Sequence, residues 1–151
     1  MKKYIRCHIV DAEPMTFGSY CTSCSNLVVD SYDPADEGYR VIYPDGYVSW
    51  CPKEAFDQAA RPVDGMTFGM AIEAMKRGKK VARKGWNGKG QFVYYVPADR
   101  YYAKTPAAKS IAAPDGKVSY RPYFALKTAQ GDVATWVPSI SDCVAEDWEI
   151  I

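Results

Sequence analysis

A single histidine, His8, is all that this chain of 151 residues carries, and that scarcity limits its chemistry first. Histidine is the commonest general acid or base near neutral pH. No cluster of carboxylates with two-metal character stands in for it. Long apolar runs are also missing, so nothing approaches the roughly 20 residues of a membrane-spanning helix. The start, Met1-Lys2-Lys3-Tyr4-Ile5-Arg6-Cys7-His8, lacks the apolar core of a secretion signal. A soluble protein of the cytoplasm is the expectation. Charge of one sign is scarce too: 19 Lys and Arg against 18 Asp and Glu leave a net +1. That is too little for gripping long nucleic acid. The five cysteines are an odd number, which argues against a disulfide framework. Cys21 and Cys24 have metal-ligand spacing, and Cys7, His8 and Cys51 could complete a tetrahedron. A second CxxC or a CxxH is absent, so reduced, half-buried thiols are expected, with no metal and no cofactor.

What the chain does hold is aromatic. Twelve tyrosines and four tryptophans point to polar-tipped pockets or interfaces. Charge is divided unevenly: residues 1–62 carry six Lys and Arg against nine Asp and Glu, residues 63–151 thirteen against nine. The densest stretch, Gly78 to Gly90, reads GKKVARKGWNGKG, with five cations, no acid and one tryptophan. Cations attract phosphate oxygens, an indole stacks on a base, and glycines let backbone approach a ligand closely. These are the parts a nucleotide-like anion needs. The same residues also fit a helix that ends near Arg77 with cations in its last turn, stops at Gly78 and leads into a solvated turn.

The pattern predicts an α+β protein of two small modules, each a short helix on a mainly antiparallel sheet with a Trp-bearing hairpin. Residues 4–10 read as a strand and a helix starts near Met15–Thr16. The pairs Tyr39–Tyr43 and Tyr47–Trp50 form a hairpin around Pro44-Asp45-Gly46. Pro52 opens a short helix to about Ala60. Arg61–Gly65 is the natural boundary, giving modules 1–62 and 63–151. Thr67 caps a helix bearing Phe68, Ile72 and Met75 on one stripe. Strands follow at Val81–Arg83 and Gln91–Val96, then a loop-rich insertion at Ala98–Gly116. A second hairpin spans Tyr123–Thr128 and Val133–Trp136. A short helix near Ser139–Val144 and a strand at Trp148–Ile151 close the chain. The motif Met15-Thr16-Phe17-Gly18 recurs as Met66-Thr67-Phe68-Gly69, and hairpin-Trp-x-Pro-helix recurs at Trp50 and Trp136.

From Met66 the sequence resembles a known family. The residues that carry this are MTFGMAIEAMKRGKKVARKGWNGKG, Val96-Pro97, Tyr120-Arg121-Pro122-Tyr123, Leu126-Lys127-Thr128-Ala129 and Ala145-Glu146-Asp147-Trp148-Glu149-Ile150-Ile151. Together they look like the phage type 2 Thoeris anti-defence proteins. The resemblance implies a sponge: a homo-oligomer, a tetramer built as a dimer of dimers. Such a sponge sequesters, without cleaving it, the glycocyclic ADP-ribose signal of bacterial TIR proteins. Some members also take cyclic oligonucleotides of CBASS immunity. The chain departs from the family pattern after Trp136, where Val137-Pro138-Ser139-Ile140-Ser141-Asp142 replaces a small polar stretch. Residues 1–62 resemble a separate short phage protein family of unassigned role.

The ligand-binding candidates follow from the residues. Trp86 offers a stacking face, and Asn87 a donor and acceptor for ribose or base edges. Arg83, on the face of Val81, presents a planar fork to pyrophosphate, with Arg121 and Lys127 as second candidates. Trp136 closes the pocket's other side, and Tyr123 belongs to the same set. Ser139, Ser141 and Asp142 lie at a helix start whose free N–H groups suit an anion or hydroxyl. Asp147 and Trp148 read mainly as a structural C-terminal strand, with a reach of Asp147 toward a partner subunit's ligand as the second reading. No catalytic residue is expected. The competing readings are a structural or host-interaction module and a nucleotide phosphodiesterase.

Overall fold

Two threonines start the two longest-range repeats of the chain in the same way. Thr16 and Thr67 both sit in extended backbone just before a helix, and each hydroxyl accepts the N–H three residues on. In the computed structural model, which describes Lys2, residues 7–24 and residues 32–151, the chain divides into two units, Met1–Pro62 and Val63–Ile151.

The first unit runs β1 (Asp11–Pro14), α1 (Phe17–Ser23), β2 (Gly38–Ile42), β3 (Val48–Pro52) and α2 (Lys53–Ala59). Its antiparallel sheet has the order β1-β2-β3. The strand expected at 4–10 lies partly outside the described residues, and residues 7–10 are not in a strand. The strand begins instead at Asp11, where Asp11–Pro14 pair with Tyr39–Ile42, and Pro14 is tolerated because β1 is an edge. The β2–β3 turn closes on Gly46 at φ 84°, a conformation that costs other residues energy. Phe17, Tyr32 and Trp50 form an edge-to-face trio with centroids 4.9–5.3 Å apart. A β-carbon on Gly38 would sit 2.4 Å from the Trp50 ring, so the indole requires glycine there.

The second unit runs α3 (Phe68–Lys76), β4 (Val81–Arg83), β5 (Phe92–Val96), β6 (Asp99–Tyr102), α4 (Pro106–Lys109), β7 (Lys117–Tyr120), β8 (Tyr123–Lys127), β9 (Val133–Trp136), α5 (Ile140–Cys143) and β10 (Trp148–Ile150). Five strands form one antiparallel sheet, β10-β4-β5-β8-β9. α3 lies on it and buries Ala71, Ala74 and Met75, and Val81, Val93 and Trp148 are fully buried in the sheet. The fold is α+β, as expected, with Trp50, Trp136 and Trp148 on strands and Trp86 in the turn after β4. The insertion at 98–116 is loop-rich as expected, but a strand and a short helix within it, β6 and α4, were not foreseen. β6 pairs with β7 in a two-stranded ribbon, and Tyr101 packs edge-to-face on Tyr120.

Register divides this sheet into two faces. Val81, Arg83, Val93, Tyr95, Phe124, Leu126, Trp136 and Trp148 share the α3 side. Phe92, Tyr94, Tyr123, Ala125, Lys127, Val133 and Thr135 share the other. Among the described residues no helix is long and apolar enough to cross a membrane.

Candidate functional site

Asp142 organises one end of the α3 side. Ser139 caps α5 and forms a capping box with Asp142: the Ser139 hydroxyl and N–H both donate to Asp142 Oδ2, at 2.7 and 3.0 Å. The other carboxylate oxygen, Oδ1, accepts from Arg83 Nη1 at 3.0 Å and from the Trp86 indole N–H at 3.2 Å. Its backbone carbonyl accepts the Trp148 indole N–H at 3.0 Å. Burial on its own would raise this carboxyl, but the Ser139, Arg83 and Trp86 donors outweigh it and pull the pKa down to about 2.

Arg83 is held from two sides. Its Nε and Nη2 donate to Asp147 Oδ1 and Oδ2 at 2.7 and 3.4 Å, a fork-to-fork pair, while Nη1 takes Asp142 and the Ser141 carbonyl. Asp147 lies below the usual carboxylate range because Arg83 bonds its charged form, and the Gly85 N–H adds to this. A β-carbon on Gly85 would sit 3.0 Å from Asp147 Oδ2, so glycine lets the turn after β4 close on that carboxylate. The reading of Arg83 as a free fork for pyrophosphate therefore meets a physical obstacle. Four of its five N–H donors are engaged within the unit, and one cation with two carboxylates leaves the group net negative.

At the helix start, where an anion or hydroxyl was expected, Asp142 Oδ2 accepts the Ser139 N–H and the Ser139 hydroxyl accepts the Asp142 N–H. Trp86 is half-buried, edge-on to Trp148 at 5.4 Å and to Trp136 at 6.0 Å. With its N–H committed to Asp142, the indole can offer a ligand only ring surface. Trp136 also meets Phe68 and Phe124, each at 6.2 Å, and so belongs to the aromatic cluster above α3. Asn87 is exposed in the turn next to Trp86, and Ser141 is exposed on α5 beside Ser139.

Thus the structure gathers Arg83, Trp86, Trp136, Ser139, Ser141, Asp142 and Asp147 in one bonded constellation, with Asn87 at its rim. Arg121, Tyr123 and Lys127 do not join it. Arg121 is exposed in the link between β7 and β8, and Tyr123 and Lys127 lie on the opposite face of the sheet.

A hollow of about 310 Å³ draws its lining from both sides of the sheet: Phe92, Tyr94, Lys127 and Val133 from the opposite face, Met75 and Tyr95 from the α3 side, and Gly78, Lys79 and Lys80 from the link between α3 and β4. Lys80 Nζ stands 5.1 Å above the Phe92 ring, and Lys127 Nζ donates to the Gly90 carbonyl at 3.2 Å. Sequence reasoning found Lys127 and the Gly78-Lys79-Lys80 run, but not the rings of Phe92 and Tyr94 that join them. Their alternation on β5 was the available signal. Among the described residues no three His, Cys, Asp or Glu side chains come together as a metal site. Cys21, Cys24 and Cys51 are free and half-buried.

Comparison with known proteins bears on this second unit. The family described as Tad2-like, Thoeris anti-defense 2-like domain, matches residues 66–151. A protein of Bacillus phage SP01 named Thoeris anti-defense 2 is 37% identical over 90 residues, covering 57% of this chain and 94% of that protein.

Proposed function

Because the chain belongs to the Thoeris anti-defense 2-like family, we propose that it is a phage anti-defence sponge that captures a cyclic nucleotide-type immune signal and leaves it uncleaved. The ligand is glycocyclic ADP-ribose made by Thoeris TIR proteins, and cyclic oligonucleotides of CBASS are candidates for the same chemistry. The protein acts in the cytoplasm of the infected host.

One observation carries the binding reading over the hydrolytic one. A general acid or base needs a pKa near the working pH and an unoccupied atom facing the substrate. Asp142, at about 2, remains ionised near neutrality, and four donors from Ser139, Arg83 and Trp86 surround its oxygens. Asp147 is likewise spent on Arg83 and Gly85. These carboxylates act as braces. They hold the Gly85-Trp86-Asn87 turn so that ring surface and an amide face outward together, ordered before the ligand arrives. Ser139, Ser141 and Trp136 border that surface.

A homo-oligomer, a tetramer of paired dimers, is part of the proposal. β9 is an edge strand, and residues 133–141 contain no charged side chain to guard it. Val137 and Ile140, both within the stretch that departs from the family pattern after Trp136, are each 84% exposed.

The test is recovery of the ligand. The purified protein in molar excess, mixed with glycocyclic ADP-ribose, is expected to deplete free signal, and heat denaturation is expected to return it with unchanged mass. A hydrolysed product in the heated sample would move the protein to the phosphodiesterase class. Failure to deplete any cyclic nucleotide would favour a structural or host-interaction module.

A further inference from the structure

The chain has two asparagines, Asn26 and Asn87, and Asn87 is the one followed by glycine. That order permits a reaction within the chain. The backbone nitrogen after an asparagine can attack the side-chain amide carbon, and glycine leaves the approach open because it has no β-carbon. Nothing described here holds the two groups apart. Asn87 is exposed, and among the described residues neither its amide nor the Gly88 N–H makes a hydrogen bond. The brace on the turn stops one residue short of them. The Gly85 N–H donates to Asp147, the Trp86 N–H to the Arg83 carbonyl at 3.1 Å, and the Trp86 indole to Asp142. Beyond the pair, the next hold is a long bond of 3.5 Å from the Gln91 N–H to the Gly88 carbonyl.

We propose that Asn87-Gly88 is a site of spontaneous deamidation, a modification the chain carries out on itself and one that limits the working life of the Trp86 surface. The Gly88 nitrogen gives its proton to solvent and bonds to Asn87 Cγ. The bond from Cγ to the amide nitrogen breaks, ammonia leaves with a proton from solvent, and a succinimide ring remains. Water then opens the ring, at Cγ to give aspartate or at the backbone carbonyl to give isoaspartate. One water enters, one ammonia leaves, and no electrons are exchanged.

Both products work against an anionic ligand. A carboxylate at position 87 puts a further negative charge at the rim of the Arg83, Asp142 and Asp147 group, which already carries two carboxylates to one cation. Isoaspartate also adds a methylene to the main chain between Trp86 and Gly88, displacing the turn that presents the indole. The consequence for capture rests on the sponge reading, whereas the chemistry of the pair does not. A bound signal that engages the Asn87 amide holds it away from Gly88 and slows the reaction.

The test ages the full chain in warm, mildly alkaline buffer and follows residues 84–91 by peptide mapping and mass spectrometry. Calorimetry with glycocyclic ADP-ribose is run on the same samples, with thermal melting as the check on folding. Asn87 should convert with first-order kinetics, faster as pH rises, and well ahead of Asn26, whose neighbour Leu27 hinders attack. Converted chain, and fresh Asn87→Asp, should bind glycocyclic ADP-ribose roughly tenfold more weakly, as expected for a like charge set against the ligand. Excess ligand should slow conversion, and Asn87→Gln, which closes a less favoured ring, should show no amide loss in this peptide. An Asn87 that stays amidated while a synthetic peptide of residues 84–91 converts would overturn the inference, because the fold would then be protecting the pair. Conversion that leaves capture unchanged would refute the limit on working life. Conversion in a chain that takes up no glycocyclic ADP-ribose even when fresh would uphold the modification and remove the sponge reading.

Discussion

Asp142 accepts four hydrogen bonds through its carboxylate and the Trp148 indole N–H through its carbonyl, so a single residue joins α5, the end of β4, the turn after it and β10. Its folded pKa of about 2 lies below the ordinary value of 3.8, so the ionised form stabilises the fold. That contribution is present above about pH 4, is lost as pH falls toward about 2, and amounts to about 2 kcal/mol. Asp142→Asn should therefore unfold at lower urea concentration than the parent at neutral pH, and the gap should narrow as pH falls through that window. A gap that stayed constant with pH would mean the charge is not what matters. The partners of Arg83 could not be read from local sequence, because Asp142 and Asp147 lie 59 and 64 residues away along the chain. Periodicity reports which face a residue takes, and it assigned Arg83 correctly to the face of Val81. It does not report which distant carboxylate will meet the guanidinium there.

At the scale of elements, the turn from Lys84 to Gly90 shows how backbone and side chain fit together. Gly85 donates its N–H to Asp147 and leaves no room for a β-carbon beside that carboxylate. Gly85→Ala should push Asp147 from Arg83 and cost about 1–2 kcal/mol in denaturant unfolding, with weaker ligand capture because the Trp86–Asn87 surface loses its brace. Unchanged stability and capture would show that the turn tolerates the displacement. Capping was legible beforehand at Thr67, whereas Ser139, read as part of the short helix, is the N-cap of α5; the turn read between the last hairpin's strands closes with Gly131 at φ 101°. The β6–β7 ribbon was not legible, since Pro106 and Pro114 dominate the composition between two short strands. Its pairing depends on tyrosines that meet only once the chain has folded back. The recurring motif is real as local geometry. Phe17 meets Trp50 at 5.0 Å with rings inclined by 61°, and Phe68 meets Trp136 at 6.2 Å with an inclination of 67°. The sheets around the two pairs differ, three strands against five.

At the scale of the whole second unit, the features of interest are one side and one edge of a single sheet. The α3 side carries the braced indole turn, and β9 leaves an uncharged edge flanked by Val137, Ile140 and Val144, each more than 70% exposed. An edge of this kind pairs readily with a copy of itself, because antiparallel pairing across a two-fold axis is self-complementary. Ile140→Lys places a charge where the fold has open space. It should lower the mass seen by native mass spectrometry while leaving the melting of the subunit fold intact. A parent that is already monomeric, or a variant with the parent's assembly, would remove the edge from the account.

The central claim is that this surface captures a nucleotide signal and keeps it whole, and equilibrium dialysis tests it most directly. Glycocyclic ADP-ribose is dialysed against the parent chain and against Trp86→Ala, with mass spectrometry of both compartments before and after denaturation. The account predicts that the parent concentrates the signal in fixed proportion to its subunits and returns it intact. Trp86→Ala should hold it about 5- to 150-fold less tightly, the range expected for losing one aromatic stacking contact. Equal concentrations on both sides of the membrane with the parent chain, or a cleaved product in either compartment, would contradict it.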